Sequence, residues 1–204
     1  ATSNGLIKRS KINLFLNECI NSELAIKLYE NDFLKKVIIA DDNNQIVLST
    51  KFGQVVRFDI DKIKPLSKKT YGNIGINLLD EEKNNLNGLA KIEDFKDYVL
   101  VITEKGKMKK SSLEDYRITN RGGKGVKTIN ITDKTGKLVA MKWVSEFDDL
   151  MITTVDGIVI RTPVSDVRVM GRATQGVKVI RINDKESIAD VTVIRRVEAI
   201  DEEE

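Results

Sequence analysis

The fold is decided by residues 103–110, with the sequence TEKGKMKK, because the same pattern occurs at four places in the chain. Each copy begins with Thr, continues with two variable residues and Gly, and ends in apolar and basic residues. The other copies are residues 2–9 (TSNGLIKR), 50–57 (TKFGQVVR) and 154–161 (TVDGIVIR). Because glycine readily adopts the positive φ that tight β-hairpin turns need, we predict a hairpin around each of the four glycines.

The hairpin glycines recur at a spacing that is typical of a blade repeat. Gly5, Gly53, Gly106 and Gly157 are separated by 48, 53 and 51 residues. Each interval holds several short apolar or alternating segments, and four strands in about 50 residues is the period of a propeller blade. Only residues 10–28 show apolar residues at helical spacing, which we interpret as a local irregularity. We therefore predict an all-β, propeller-like fold of four-stranded blade repeats.

The predicted repeats are residues 1–45, 46–97, 98–147 and 148–197, followed by an acidic tail at 198–204. Together the four repeats form one domain. An apolar strand precedes the Thr of the last three hairpins, whereas the first hairpin follows Ala1 directly. We expect either that the chain begins inside a repeat or that another segment supplies the missing strand.

A second landmark follows each hairpin glycine by about twenty residues, and a third strand follows the landmark. The landmarks are residues 25–28 (AIKL), 75–78 (GINL), 125–129 (GVKTI) and 176–180 (GVKVI). The predicted third strands are residues 34–39, 89–92, 138–144 and 188–194.

The composition argues against a catalytic site in this chain. There is no histidine and Cys19 is the only cysteine, so histidine-based triads and zinc sites with Cys or His ligands cannot be built. We expect no catalytic residue, no metal site and no cofactor in this domain. The single cysteine and the lack of an apolar run of about 20 residues favour a cytoplasmic protein without a membrane segment.

The basic residues are concentrated at recurring places, although the net charge is only +3. Residues 105–127 contain eight basic and two acidic residues, and residues 157–181 contain five basic and one acidic. Only three of the 31 acidic residues lie within these two stretches. Positive charge that recurs at the period of a repeat is the pattern expected of an edge that binds a polyanion.

Glycine-rich basic loops lie between the last two hairpins and their second landmarks, at residues 121–125 (RGGKG) and 171–176 (GRATQG). Glycine lets the backbone approach a partner closely, and the neighbouring Arg or Lys can reach a phosphate. We therefore predict an edge that binds the phosphate groups of a polyanion. The predicted binding residues, which are DNA-binding residues under the family resemblance given next, are Lys8, Arg9, Arg57, Lys107, Lys109, Lys110, Arg121, Lys124, Arg161, Arg172 and Lys178.

Two stretches carry a resemblance to a known family. Residues 157–161 followed by 171–177 resemble the last blade of the C-terminal domain of bacterial DNA gyrase A. Residues 121–125 are similar to the end of that family's QRRGGKG box, but Thr119 and Asn120 stand before Arg121 here. The resemblance covers all 204 residues and corresponds to the last four of the family's six blades, so the true box of the first blade would be absent.

The resemblance implies a β-pinwheel, a propeller-like wheel whose blades exchange strands. It also implies that duplex DNA wraps around a basic rim, which supports negative supercoiling by the ATP-dependent topoisomerase. The expected partners are double-stranded DNA, the N-terminal domain of gyrase A and the gyrase B protein in an A2B2 holoenzyme. ATP and Mg²⁺ would be used by other parts of the holoenzyme, and the DNA-cleaving tyrosine would lie in the N-terminal part of gyrase A.

Two alternatives stay open at this point. One is the related C-terminal domain of topoisomerase IV, which bends DNA without full wrapping; the Gly-Arg-x-x-Gln-Gly-Val pattern at residues 171–177 favours gyrase. The other is an unrelated propeller that serves as a protein-interaction scaffold, which would expose apolar patches instead of a basic rim. The sequence also leaves open whether the repeats close into a ring or form an open arc.

Overall fold

The computed structural model describes residues 1–16, 24–78, 85–92, 98–180, 182 and 186–195. Cys19, Arg181 and the acidic tail lie outside these residues. Within the described ranges the chain forms short strands and 3-10 turns and contains no α-helix, so the predicted all-β class is confirmed. No helix in this part of the chain is long and apolar enough to cross a membrane.

Thirteen strands make up the described structure. They are β1 (Leu6–Ile7), β2 (Gln45–Thr50), β3 (Gln54–Asp59), β4 (Asn73–Ile74), β5 (Leu86–Lys91), β6 (Tyr98–Thr103), β7 (Lys107–Ser112), β8 (Val126–Lys127), β9 (Leu138–Val144), β10 (Asp149–Thr154), β11 (Val159–Pro163), β12 (Val177–Lys178) and β13 (Ile188–Ile194). The 3-10 turns are Ile12–Phe15, Ile60–Lys62, Leu113–Asp115 and Val164–Asp166.

Three of the four predicted hairpins form paired strands in the described residues; two of them are central in their sheets, and in the third sheet β11 is an edge strand. Strands β2–β3, β6–β7 and β10–β11 are antiparallel pairs, with Leu48 opposite Val56 in the first of them. The third strand of each repeat, β5, β9 or β13, pairs with the first strand of its hairpin. The hairpin glycines have φ between 71° and 86°, the left-handed conformation that the turn requires.

The second, third and fourth repeats each add one short strand to the sheet of the repeat before. Strand β4 pairs with β1, β8 with β3 and β12 with β7, each over two residues. The resulting sheets have the orders β1-β4, β5-β2-β3-β8 and β12-β7-β6-β9, while β11-β10-β13 has three strands. We call β4, β8 and β12 the exchange strands. They connect consecutive repeats through main-chain hydrogen bonds.

In the second repeat, the glycine equivalent to Gly125 and Gly176 is not the one predicted from the sequence. The residue that precedes each exchange strand is Gly72, Gly125 or Gly176, so Gly72 and not Gly75 is the equivalent position. A Cβ on Gly72, Gly125 or Gly176 would lie 3.0, 2.6 or 2.9 Å from a backbone carbonyl oxygen of the preceding repeat. The three glycines are therefore required by close backbone contact, a constraint that the residue pattern alone does not reveal.

The first repeat is less regular than predicted. Residues 25–28 form no strand, and of residues 34–39 only Leu34 forms a β-bridge, with Thr2. The helical spacing of residues 10–28 corresponds, in its described part, to the 3-10 turn Ile12–Phe15. Within the described ranges, no strand forms a continuous ladder with residues 34–39.

The hydrophobic core lies mainly between neighbouring repeats. One cluster packs Leu100, Ile102 and Met108 of the third repeat against Leu150 and Ile152 of the fourth. Two further clusters join the first repeat to the second and the second to the third. Because the hairpins of the second and third repeats bury apolar residues against a sheet on either side, both faces of those strands are covered, whereas β10 and β11 of the fourth repeat expose Met151 and Val159.

The hairpin glycines give a direct test of how tightly the repeats are joined. At Gly53 an added Cβ would lie 2.8 Å from the Ile129 carbonyl oxygen of the next repeat, whereas at Gly157 it would meet no atom within 4 Å. Both residues have positive φ. We expect Gly157→Ala to lower the free energy of unfolding by about 1–2 kcal/mol, for backbone strain alone. Gly53→Ala should cost at least about 1 kcal/mol more, because the carbonyl must move.

Urea-induced unfolding of the two variants measures this difference. Equal losses of stability would contradict the close inter-repeat contact at Gly53.

Candidate nucleic-acid interface

Three equivalent loops lie next to the exchange strands. Residues 66–72, 119–125 and 170–176 each lead directly into β4, β8 or β12. The first residue of each loop donates its backbone N–H to a carbonyl of the preceding repeat: Leu66 to Arg9 at 2.8 Å, Thr119 to Arg57 at 2.7 Å and Met170 to Lys110 at 2.8 Å. We call these segments the rim loops. Because their anchoring is the same, they occupy equivalent places on consecutive repeats.

Exposed cations recur at equivalent places beside the rim loops. Lys64, Arg117 and Arg168 each lie eleven residues after a hairpin glycine, and all three are exposed. Lys127 and Lys178 occupy the same position of exchange strands β8 and β12 and are also exposed. The set predicted from the sequence omits Lys64, Arg117, Arg168 and Lys127. Aligning the repeats on the hairpin glycine, without the structure, would have revealed them.

An open groove of about 500 Å³ lies at the rim loop of the third repeat. Arg57, Arg117, Arg121 and Lys124 line it, together with the loop glycines and the first residue of β8. Basic residues and glycines thus border the same space. Such a groove suits a phosphate-bearing strand, since glycine allows close approach and the cations supply charge.

One of the predicted DNA-binding residues, Arg57, has its guanidinium occupied within the protein. Its Nη1 donates to the carbonyl oxygens of Leu113 (3.0 Å) and Tyr116 (2.9 Å), which flank the 3-10 turn of the next repeat. Its Nε and Nη2 donate to Oε1 of Gln45 at 2.8 and 2.6 Å. Burial lowers the pKa of the Arg57 guanidinium from its ordinary value, and Asp59 opposes that shift. Arg57 therefore joins the second repeat to the third.

Arg9 and Lys110 occupy the same position as Arg57, four residues after a hairpin glycine, and bind the next repeat in the same way. Arg9 donates to the carbonyls of Ile60 and Ile63 and is paired with Asp42. Lys110 is 2% exposed and donates to the Val164 carbonyl at 3.0 Å and to the Glu146 carboxylate at 2.7 Å. We call Arg9, Arg57 and Lys110 the inter-repeat cations.

Arg161 stands at the equivalent position of the fourth repeat. Its Nε donates to the Asp149 carboxylate at 2.9 Å, and its side chain is 60% exposed. Lys109 differs from all of these, because it is completely buried and its ammonium group contacts the rim loop of the fourth repeat. Burial lowers the pKa of Lys109 to about 8.

The remaining predicted residues lie closer to solvent. Arg121 and Arg172 are half-buried, and each donates to a carbonyl of the preceding exchange strand: Arg121 to Ile74 at 2.9 Å and Arg172 to Lys127 at 3.1 Å. Lys124 and Lys178 are exposed and Lys107 is half-buried. Lys8 donates to the Ala25 carbonyl at 2.6 Å, and burial lowers its pKa.

The structure thus separates eight of the eleven predicted cations into two groups, with Lys8, Lys107 and Arg161 in neither. Arg121, Lys124, Arg172 and Lys178 lie on the rim loops and exchange strands. Of the cations that the prediction omits, Lys127 lies on an exchange strand, and the other three lie two residues before a rim loop. Lys109 and the inter-repeat cations hold backbone carbonyls inside the protein. Direct DNA contact by any of the eleven residues stays a prediction. Among the described residues, no group of three or more Asp, Glu, Cys or His side chains is placed to hold a metal ion.

The two groups differ in the effect expected of their substitution. Arg57→Met removes hydrogen bonds from a charged group to two carbonyls of the next repeat, and we expect it to lower the free energy of unfolding by about 2–3 kcal/mol. Arg117→Gln, an exposed cation of the same groove, should change stability by less than about 0.5 kcal/mol. Chemical unfolding of both variants provides the comparison, and a neutral Arg57→Met would contradict the structural role of that guanidinium.

Comparison with known proteins gives consistent matches over nearly the whole chain. A family model described as the DNA gyrase C-terminal domain, β-propeller, matches residues 44–84, 97–144 and 148–195. The A subunits of DNA gyrase are similar to this chain in Ureaplasma parvum (35% identity over 202 residues, 99% of the chain), Deinococcus deserti (38% over 198 residues, 96%) and Staphylococcus aureus (37% over 204 residues, 100%). The matched regions are 24%, 24% and 23% of these relatives, so the chain spans about a quarter of their length.

Two solved structures share the fold. The C-terminal domain of DNA gyrase A has a TM-score of 0.84 at 22% identity, covering 95% of this chain and 64% of that one. The C-terminal domain of DNA topoisomerase IV has a TM-score of 0.86 at 19% identity, covering 96% of this chain and 60% of that one. At these identities the likeness establishes the architecture and does not distinguish between the two enzymes.

Proposed function

Because this chain belongs to the family of DNA gyrase C-terminal β-propeller domains, we propose that it binds duplex DNA along its rim loops and bends it. The observation that carries the proposal is the recurrence of exposed cations at equivalent places of consecutive repeats. Lys64, Arg117 and Arg168 form one such series, and Lys127 and Lys178 form another. A row of cations at a fixed structural period can follow a continuous phosphate backbone.

The proposed chemistry is neutralisation of phosphates combined with bending, with little direct contact to base edges. Bending a site of 20–30 base pairs costs on the order of 1–6 kcal/mol, which several phosphate contacts can offset. In the groove of the third repeat, Lys124 and Arg117 supply charge while Gly123 leaves room for the DNA backbone. Such contacts depend on charge and shape, so binding should vary little with DNA sequence.

We assign direct contact to the exposed rim cations: Lys64, Arg117, Lys124, Lys127, Arg168 and Lys178, with Arg121 and Arg172 beside them. The inter-repeat cations would act on the shape of the rim, because their N–H groups already bind protein carbonyls. Lys8, Lys107 and Arg161 remain candidates for contact. We therefore expect most of the binding energy to come from cations at and beside the rim loops and exchange strands, and little from cations at the hairpin ends.

In the context of a whole gyrase, this domain would present bent DNA to the catalytic parts of a cytoplasmic type II topoisomerase. Strand cleavage and the use of ATP and Mg²⁺ would belong to the N-terminal part of gyrase A and to gyrase B.

The named relatives, at 35–38% identity, support gyrase over topoisomerase IV. Assays of negative supercoiling by the full-length subunit that contains this domain test this assignment, and relaxation without supercoiling by that full-length subunit would favour topoisomerase IV. For these 204 residues alone, we expect weak bending of DNA and no support of supercoiling.

The DNA-binding proposal predicts a strong dependence on salt. The affinity for a short duplex should fall linearly on a log–log plot against salt concentration, with a slope of about −0.9 for each phosphate contacted. The double variant Lys127→Gln/Lys178→Gln removes one exposed cation from each of two exchange strands. It should weaken binding in dilute buffer and reduce the magnitude of the slope by roughly 1–2.

The matched control is Lys35→Gln/Lys134→Gln, which removes two exposed lysines that lie outside the rim loops and exchange strands and therefore gives the same change in net charge. Fluorescence anisotropy with a labelled duplex across a salt series measures both variants. The proposal fails if the control loses as much affinity as the rim variant, because binding would then reflect total charge and not a defined edge.

A further inference from the structure

Lys109 is a buried cation whose contacts converge on a single loop of another repeat. It lies in β7 of the third repeat, opposite Val101, and its side chain has no solvent exposure. Its Nζ donates to the carbonyl oxygens of Gly171 (3.0 Å) and Arg172 (2.9 Å) and to Ser111 Oγ (2.8 Å). Ser111 Oγ in turn donates to the Met170 carbonyl at 2.7 Å. Three successive carbonyls at the start of a rim loop are thus held directly or indirectly by this ammonium.

The hydrogen-bond acceptors of Lys109 are all uncharged, which is unusual for a buried ammonium. The adjacent Lys110 is also buried, but it forms an ion pair with Glu146. Burying a charge without a charged partner is costly unless each of its N–H groups is hydrogen-bonded. The three donors of an ammonium match the three acceptors around Lys109. At the equivalent position the second and fourth repeats carry Val56 and Ile160, so the architecture of a repeat does not itself require a cation here.

The same loop carries Arg172, whose guanidinium lies on the exchange strand of the third repeat. Arg172 Nη1 donates to the Lys127 carbonyl at 3.1 Å, and the Lys127 side chain is exposed. Within the loop, Thr174 Oγ1 donates to the Gly171 carbonyl at 2.9 Å. Arg172 is therefore held at two points. Its backbone carbonyl accepts a hydrogen bond from the buried Lys109, and its side chain donates one to the Lys127 carbonyl at the surface.

The charges around Lys109 allow it to act in this way near neutral pH. Burial is the main cause that lowers the pKa of Lys109 to about 8; Asp115 raises it and Arg172 lowers it further. A group with this pKa is mostly protonated at pH 7. It then has three N–H groups to donate, and each of them has an acceptor.

We infer that Lys109 is a positioning residue for Arg172: without touching DNA, it holds the rim loop of the fourth repeat so that Arg172 lies beside Lys127 for binding to a phosphate. This inference rests on the proposed DNA-binding function. The corresponding rim loop of the third repeat contains Gly122 and Gly123, and the second repeat has Val56 in place of a lysine. Among the three described rim loops, that of the fourth repeat is the one whose carbonyls are bound by a fully buried ammonium group.

A double-mutant cycle on duplex binding tests the inference. Lys109→Met keeps an unbranched side chain of similar length and removes the hydrogen bonds, and Arg172→Gln removes the surface cation. Each single variant should weaken binding by about fivefold, and the double variant should bind no more weakly than Arg172→Gln alone, because coupled residues are not additive. Additive losses, or an unchanged affinity for Lys109→Met, would overturn the inference.

A second measurement separates positioning from a general loss of stability. Amide hydrogen exchange should be faster at residues 171–174 in Lys109→Met than in the wild type, with residues 121–125 unchanged. Val191→Ala, which opens a cavity in β13 outside the loop, serves as the destabilised control. It should keep wild-type DNA affinity under conditions where it is folded. Unchanged exchange at residues 171–174 in Lys109→Met would exclude the positioning role.

The two proposals can fail separately. If the wild-type chain does not bind duplex DNA in dilute buffer, the proposed function falls, whereas the exchange experiment still decides whether Lys109 organises the loop. If the wild type binds and the cycle is additive, DNA binding stands and the positioning role is wrong.

Discussion

The contact on which the rest of the structure depends is the close approach of each exchange strand to the hairpin of the preceding repeat. Gly72, Gly125 and Gly176 lie so near a carbonyl oxygen that a Cβ would approach it to 3.0 Å or less. Only two residues of each exchange strand are paired, and such a short ladder is weak by itself. The junction therefore needs further contacts, which the buried apolar clusters and the inter-repeat cations provide.

The inter-repeat cations explain why basic residues recur at the ends of the hairpins. A basic side chain four residues after a hairpin glycine reaches the carbonyls around the 3-10 turn of the next repeat, as Arg57 does at Leu113 and Tyr116. The Leu113 carbonyl also accepts the Tyr116 N–H within the turn, and a carbonyl oxygen can accept a second hydrogen bond. Each arginine of this set binds two carbonyls of the next repeat, whereas Lys110 binds one. Recurring positive charge is consequently a requirement of the fold as well as a candidate feature of the binding surface.

In the last three repeats the sequence predicts the strands and hairpins well, because the turn glycines and the apolar segments are local signals, whereas residues 25–28 and 34–39 of the first repeat form no strand. It predicts the exchange strands poorly: they are two residues long, and their position depends on the backbone contact at Gly72, which cannot be distinguished from Gly75 by pattern. Buried cations are the second difficulty. Two adjacent lysines such as Lys109 and Lys110 usually indicate a solvated strand. Here both are buried, because each finds hydrogen-bond acceptors in the next repeat. The exposed series Lys64, Arg117 and Arg168 could have been found by aligning the repeats on their hairpin glycines.

The two groups of cations imply that shape and charge are controlled by different residues. The inter-repeat cations and Lys109 bind carbonyls, so they fix how one repeat lies on the next and where each rim loop stands. The exposed cations on the rim loops and exchange strands would determine how much positive charge DNA meets. The inter-repeat cations and Lys109 would therefore influence the curvature of bound DNA, because the positions of the contacts determine how far the DNA bends. Affinity and its dependence on salt would follow from the second group. A small net charge is compatible with this proposed arrangement, because binding would depend on the exposed cations at and beside the rim loops and exchange strands and not on the total charge.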